Sequence, residues 1–227
     1  MLNVLYEDNH LLVINKPCGT LVQGDETGDK PLVELGKEYI KEKYQKPGEV
    51  FLGVVHRLDR PVSGVVVFAR TSKALERMNE LFRNKETKKT YLAIVSSRPP
   101  KERDTLIHWL EKDEKKNKTT AYIRESAKGQ RSELSYELIG QSGGKYLVEV
   151  NPITGRPHQI RVQLASIGCI ILGDLKYGAA APLPDASIAL HARQLEFIHP
   201  VKKEKLVITA ALPPIKHWQT FPFLFQD

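Results

Sequence analysis

Val54-Val55-His56-Arg57-Leu58-Asp59-Arg60-Pro61-Val62-Ser63-Gly64-Val65-Val66-Val67-Phe68-Ala69-Arg70 is the stretch that decides how this chain is read. From Val65 it is a run of branched and aromatic residues without alternation, the pattern of a strand apolar on both faces. The first half places one carboxylate, Asp59, between Arg57 and Arg60, on a loop that the strand anchors to the core. A carboxyl group close to guanidinium groups is favoured in its charged form. Asp59 is therefore expected to be ionised at neutral pH and suited to nucleophilic or electrostatic work rather than to donating a proton. A surface ion pair beside a buried strand would read the same way, and this stretch alone does not separate the two.

Working outward, 227 residues suffice for one substantial core or for two small lobes sharing a sheet. The net charge of +7, from 34 Lys and Arg against 27 Asp and Glu, favours a polyanionic partner. The charge recurs in short clusters, Lys85 to Lys89, Lys112 to Lys118, Lys128 to Arg131 and Lys202 to Lys205, of which a minority is expected to touch phosphate. Cys18 and Cys169 have no C-x-x-C spacing and no His or Cys neighbours at ligand intervals, so each reads as a small packed hydrophobe. Residues 1 to 16 contain Glu7 and Asp8 and no long apolar run, which argues against a signal peptide or a membrane helix. A reducing, cytoplasmic setting, a monomer and no metal or cofactor are the expectations.

In chain order, Val4 to Tyr6 and Leu11 to Ile14 read as two short strands joined by a turn around Asp8-Asn9. Lys16-Pro17 opens a loop, Cys18 to Lys30, made acidic by Asp25, Glu26 and Asp29, and Lys16 reads as a solvated lysine in preference to one that holds a phosphate. Pro31 to Lys46 is expected to be an amphipathic helix with Leu32, Leu35 and Tyr39 on one stripe and Val33, Ile40 and Tyr44 beside it. Thr71 or Ser72 caps a second helix through Asn84, with Leu75, Met78 and Phe82 as its buried stripe. Lys88 to Ser96 reads as strand, with Tyr91 near its start. Residues 98 to 131 suggest a protruding arm, with Thr119 to Arg124 as a strand returning from it. His108 and Trp109 there either stack on an exposed base or pack beneath the arm. Ser132 to Leu138 and Tyr146 to Val150 form a hairpin across Gln141-Ser142-Gly143-Gly144. A third helix runs from Pro157 to Ile167, with Ile160, Leu164 and Ile167 on one face and His158, Arg161 and Ala165 on another. Leu190 to Phe197 and Leu206 to Leu212 read as further strands.

His56-Arg57-Leu58-Asp59-Arg60 followed by Ser63-Gly64 resembles the signature of the RluA-type pseudouridine synthases, which isomerise uridine in structured RNA. Three further segments resemble that family in the right order: Tyr6-Glu7-Asp8 to Lys16-Pro17, Lys89-Thr90-Tyr91, and Thr154 to Arg161 running into Gly173-Asp174-Leu175-Lys176-Tyr177-Gly178. The resemblance implies an α+β fold, a single catalytic domain over 1–227 with a central mixed, mostly antiparallel β-sheet flanked by helices and loops. It also implies an RNA pseudouridine synthase acting on a ribosomal or transfer RNA stem-loop without a cofactor. Carried onto this chain, it makes Asp59 the essential carboxylate. Tyr91 would stack on the uracil and help remove its C5 proton, and Arg161 would pair with Asp59. Arg57 would enter the space left by the flipped base, and His56, Arg60 and His158 complete the substrate-binding set. No S4-like N-terminal module is expected, so recognition would reside in the catalytic domain. The chain departs from the family where it has Pro61-Val62 in place of the frequent Asp-Thr, and Gln163 in place of a frequent His, which bears on substrate choice more than on chemistry. Glycoside hydrolysis usually needs two carboxylates, and one stands in this signature. A basic protein that clamps or remodels RNA without chemistry is the alternative; a carboxylate facing a polyanion gives such a binder nothing.

Overall fold

The computed structural model describes residues 2–225. In chain order the elements are β1 (Val4–Glu7), β2 (Leu11–Lys16), α1 (Leu32–Lys43), β3 (Gly53–Val54), β4 (Ser63–Ala69), α2 (Ser72–Arg83) and β5 (Lys88–Val95). There follow β6 (Arg103–Asp113), β7 (Lys118–Tyr122), β8 (Gln130–Ser142), β9 (Lys145–Pro152), α3 (Gln159–Ser166), β10 (Leu190–Ile198), β11 (Lys205–Thr209) and α4 (Lys216–Gln219). This is the α+β class expected from the sequence, and the strand registers, from β1–β2 to β8–β9, are antiparallel. Packing divides the chain into two compact units: residues up to Lys88 with Ala192–Ala211, and Lys89–His191 with the residues from Leu212 on.

In the first unit the strand order is β1-β2-β4-β10, with β11 on β10 and β3 on β4. All seven residues of β4 are buried, so its unbroken apolar run marks a central strand covered on both faces, as read. Val65 and Val67 of β4 pack with Leu11 and Val13 of β2, Met78 of α2 and Phe197 of β10. Thr71 starts α2 as its N-cap, its Oγ1 accepting the Ala74 N–H at 3.1 Å. The face that α1 buries differs from the expected stripe: Leu32, Val33, Gly36 and Ile40 point inward, Leu35 and Tyr39 are half-buried and Tyr44 is exposed. A Cβ at Gly36 would lie 2.6 Å from Leu52, so the helix approaches the core along its glycine. Tyr39 and Tyr44 instead donate their hydroxyls to the Glu7 carboxylate, at 2.8 and 2.7 Å.

In the second unit the order is β5-β9-β8-β6-β7. Gly143 and Gly144, both at positive φ (55° and 71°), make the two-residue turn between β8 and β9, a geometry that side chains with a Cβ resist. The arm expected over 98–131 is shorter than the sequence suggested. β6 runs along β8 from Arg103 to Leu110 with Leu106, His108 and Leu110 buried, and its end pairs with β7. His108 therefore packs inside. The helix expected over 157–167 begins at Gln159, because His158 adopts a left-handed conformation (φ 54°). Its expected two-faced pattern does not hold: Gln159 through Leu164 are all buried.

Candidate active site

The segment carrying Asp59 has no regular structure and is nevertheless held along its length. Leu58 is buried while Arg57 is exposed and Asp59 half-buried, so the apolar residue between them pins the loop to the core. Beyond Asp59 its carbonyl accepts the Val62 N–H at 3.0 Å, closing a turn, and the Arg60 carbonyl accepts the Gly19 N–H at 2.8 Å. Ser63 and Gly64 then enter β4. Gly64 (φ 120°) has no substitute here, since a Cβ would sit 2.3 Å from the Ala192 carbonyl oxygen of β10.

Lys16 overturns its reading as a solvated lysine. It is wholly buried, and its Nζ donates to three main-chain carbonyls: Thr20 at 2.7 Å, Pro17 at 3.0 Å and Arg60 at 3.1 Å. An ammonium has three protons to give, and three acceptors converge on it. One of them belongs to the residue after Asp59, so the cation ties the start of the loop that follows β2, residues 17–20, to the signature loop. Burial pushes its pKa down to about 8, against which the nearby charge of Asp59 works.

Arg60 and His56, expected to bind substrate, also serve the fold. The Arg60 Nη2 meets Asp29 at 2.5 Å and its Nε donates to the Gly19 carbonyl at 3.0 Å. His56 accepts the Val67 N–H at Nε2 (3.2 Å) and stacks on Phe82 with ring centres 4.9 Å apart. Arg57, like Arg60, is exposed.

In the second unit Arg161 lies on α3, buried, with its Nε 2.7 Å from Asp174 Oδ2 and its Nη2 2.8 Å from Asp174 Oδ1. This is a bidentate fork on a carboxylate that is itself 1% exposed. The guanidinium carbon stands 5.1 Å from the centre of the Tyr177 ring. The Tyr177 hydroxyl accepts the Thr119 N–H at 2.9 Å and faces His158 Nδ1 at 2.9 Å, to which it donates in the arrangement that satisfies both groups. Burial pushes the Tyr177 phenol up, which keeps the proton on it. Gln159 organises the turn ahead of α3. Its Oε1 accepts from Thr154 Oγ1 (2.8 Å) and the Arg156 N–H (3.0 Å), and its Nε2 donates to the Glu133 carbonyl (3.0 Å).

Tyr91 is half-buried at the start of β5, opposite Val150 of β9. Gln163 is fully buried, with its amide donating to the Leu106 carbonyl and meeting His108 Nδ1, both at 3.1 Å. Its departure from the family pattern thus bears on the interior of the unit rather than on substrate choice. Sequence reading assigned no role to Lys16, Gln159, Asp174 or Tyr177. A signal was present for the last two, an acid and a phenol in a turn bounded by Gly173 and Gly178 that follows the Arg161 helix. Among the described residues no group of three or more His, Cys, Asp or Glu is placed to hold a metal ion, and no helix is long and apolar enough to cross a membrane.

The family model for RNA pseudouridylate synthase matches residues 10–166. Among curated proteins, the chain is 32% identical over 221 residues to the ribosomal large subunit pseudouridine synthase C of Vibrio cholerae, covering 92% of this chain and 65% of that one. It is 34% identical to an uncharacterized RNA pseudouridine synthase of Bacillus subtilis, with 93% and 69% covered. The chain thus spans about two thirds of the length of these relatives. Among solved structures, human RNA pseudouridylate synthase domain containing 4 superposes with a TM-score of 0.80 at 28% identity, covering 99% of this chain and 94% of the other. Human RNA pseudouridylate synthase domain containing 1 shares the fold at a TM-score of 0.72.

Proposed function

The chain belongs to the RNA pseudouridylate synthase family, and from that premise we propose that it isomerises uridine to pseudouridine in structured RNA, with Asp59 as the essential carboxylate. The observation that carries the reading is the immobilised loop around Asp59. A carboxylate that must meet a ribose or a uracil in one orientation gains from a loop pinned by Leu58, by the Asp59–Val62 turn and by the Lys16 cage. The relatives named for the large ribosomal subunit favour ribosomal RNA over transfer RNA as substrate. Both compact units form one catalytic domain in this reading, supported by a structural match that extends over 99% of the chain.

The reaction extrudes the uridine, breaks the bond between C1' and N1, turns the uracil and joins C1' to C5; C5 then gives up its proton and N1 takes one up. Product and substrate are isomers, so no co-reactant is required. Asp59 acts on the sugar or the base, and Tyr91 stacks on the uracil and helps remove the C5 proton. Arg161 pairs with Asp59; an arginine has five N–H donors, so a two-bond fork to Asp174 does not exhaust it. Arg57, exposed beside buried Leu58, is the guanidinium proposed to occupy the gap in the RNA stack. His158 contacts the RNA beside it. The protein acts as a monomer in the cytoplasm.

The test is nucleoside analysis of unmodified ribosomal RNA incubated with the protein and no added cofactor. Pseudouridine should appear with the parent and be absent with Asp59→Asn at near-parental RNA affinity. Appreciable turnover by pure Asp59→Asn would remove Asp59 from the reaction, and RNA bound without any product would favour the remodelling protein instead.

A further inference from the structure

The segments that hold Arg161 are also the ones on which a basic hairpin rests. Between residues 112 and 131 stand seven Lys or Arg against three Asp or Glu, more than half of the chain's net charge of +7. Lys115, Lys118, Arg124 and Lys128 are exposed, and none of them makes an ion pair among the described residues. Where the hairpin returns along β7, it docks on both flanks of Arg161. Thr119, 2% exposed, donates its N–H to the Tyr177 hydroxyl and its Oγ1 to the Pro157 carbonyl at 3.0 Å, just ahead of α3. The Lys176 Nζ donates to the Asn117 carbonyl at the hairpin tip, at 2.8 Å. Most tellingly, the Tyr177 ring serves two cations: Arg161 at 5.1 Å and Lys118 at 5.8 Å from its centre.

Resting on the reading of this chain as an RNA-modifying enzyme, we propose that Tyr177 is a positioning residue through which RNA held by the β6–β7 hairpin sets Arg161 for the reaction. Two cations that use one ring repel each other, and each draws on the π-system that attracts the other. A phosphate arriving at the hairpin gives Lys118 a stronger partner than the ring. Lys118 then leaves the ring to Arg161, which gains ring contact and loses a neighbouring positive charge. RNA thereby interacts differently with the two arrangements, which is the condition for binding at one place to be felt at another. Thr119, anchored to Pro157 and Tyr177, keeps the hairpin in register while Lys118 moves.

The experiment compares two unmodified substrates under single-turnover conditions with saturating protein. One is a large-subunit ribosomal RNA transcript, and the other a stem-loop of roughly 20 nucleotides cut from around the reactive uridine, too short to engage the hairpin as well. The parent should convert the long RNA about fivefold faster at saturation, besides binding it more tightly. Tyr177→Leu should lose the rate advantage and keep the tighter binding, whereas Tyr177→Phe, which retains the ring, should keep both. Should Tyr177→Leu fail to fold, Lys118→Met decides: it should erase the advantage by raising the rate on the short RNA. Equal rates on both RNAs with the parent, or an advantage that survives in Tyr177→Leu or in Lys118→Met, would overturn the proposal. Absence of pseudouridine from either RNA with the parent would instead overturn the activity itself, and this inference with it.

Discussion

Among the described residues Lys16 and Arg161 are both buried, and the two cations are held in opposite ways. Lys16, beside the Asp59 loop, is surrounded by main-chain carbonyls of Pro17, Thr20 and Arg60. Arg161 is held by side chains, with Asp174 gripping two of its nitrogens and Tyr177 against its face. A carbonyl cage fixes a stretch of backbone and leaves the neighbouring carboxylate to do chemistry. A side-chain clamp fixes the position of one group and adjusts when its partners move. The first suits a loop whose geometry must not change, and the second suits a group that responds to what is bound.

The comparison breaks most sharply at Arg161. Arg161→Ala leaves Asp174 as a buried carboxylate without its partner, which should destabilise the protein by about 3–5 kcal/mol in urea unfolding as well as abolish turnover. Arg161→Lys restores charge and not the fork, and should recover part of the stability and little of the activity. Next comes Lys16→Met, which keeps the length of the side chain and orphans neutral carbonyls instead of a charge. Its loss should be smaller, about 2–3 kcal/mol, with kcat reduced as the loop loosens. If Lys16→Met proved the more damaging of the two, the ranking of clamp and cage would be reversed.

A third residue lies outside the cage. Arg57→Ala should leave stability unchanged and slow reaction on a structured stem-loop by about tenfold, with little effect on a short unstructured RNA that needs no unstacking. Equal losses on both would return Arg57 to the electrostatics of Asp59. The smallest effect tests how far the side-chain network of α3 extends. Burial lowers the pKa of His108 below its ordinary 6.5. Below that pH the unfolded chain takes up a proton that the folded one resists, so stability should be level above 6.5 and fall as the solution is acidified. His108→Asn should flatten that fall without changing stability near neutrality by much, read as unfolding free energy against pH.

Much of this was legible in the chain. The unbroken run Val65 to Ala69, the Thr71 cap and the Gly143-Gly144 turn each depend on interactions within a few residues, and each was found where the sequence put it. Lys16 was misread because its three acceptors come from residues 17, 20 and 60, and no local pattern announces that they converge. β6 was read as part of an arm because Pro99-Pro100 and the Lys-rich Asp113 to Lys118 bracket it, whereas the partners that hold His108 inside, Gln163 and Ser166, come from α3 far along the chain. The α1 stripe was set one position aside by Gly36, whose importance lies in the missing side chain. Asp174 and Tyr177 stood in a recognised segment, and their roles became visible only once Arg161 and Thr119 were beside them.

The close approach of Gly64 to Ala192 also fixes an order of events during synthesis. β4 is finished long before its neighbour β10 has been made, because the whole of the stretch Lys89–His191 is translated between them. At elongation rates of roughly 5–20 residues per second the nascent chain carries Val65 to Ala69 without the β10 side of its sheet for on the order of ten seconds. The continuous segment in between has its own strands and can condense first, so the half of the protein that begins the chain is the last to close. During that interval the most apolar strand of the molecule is the natural client of a ribosome-bound chaperone, and a pause in translation ahead of Ala192 would lengthen its exposure.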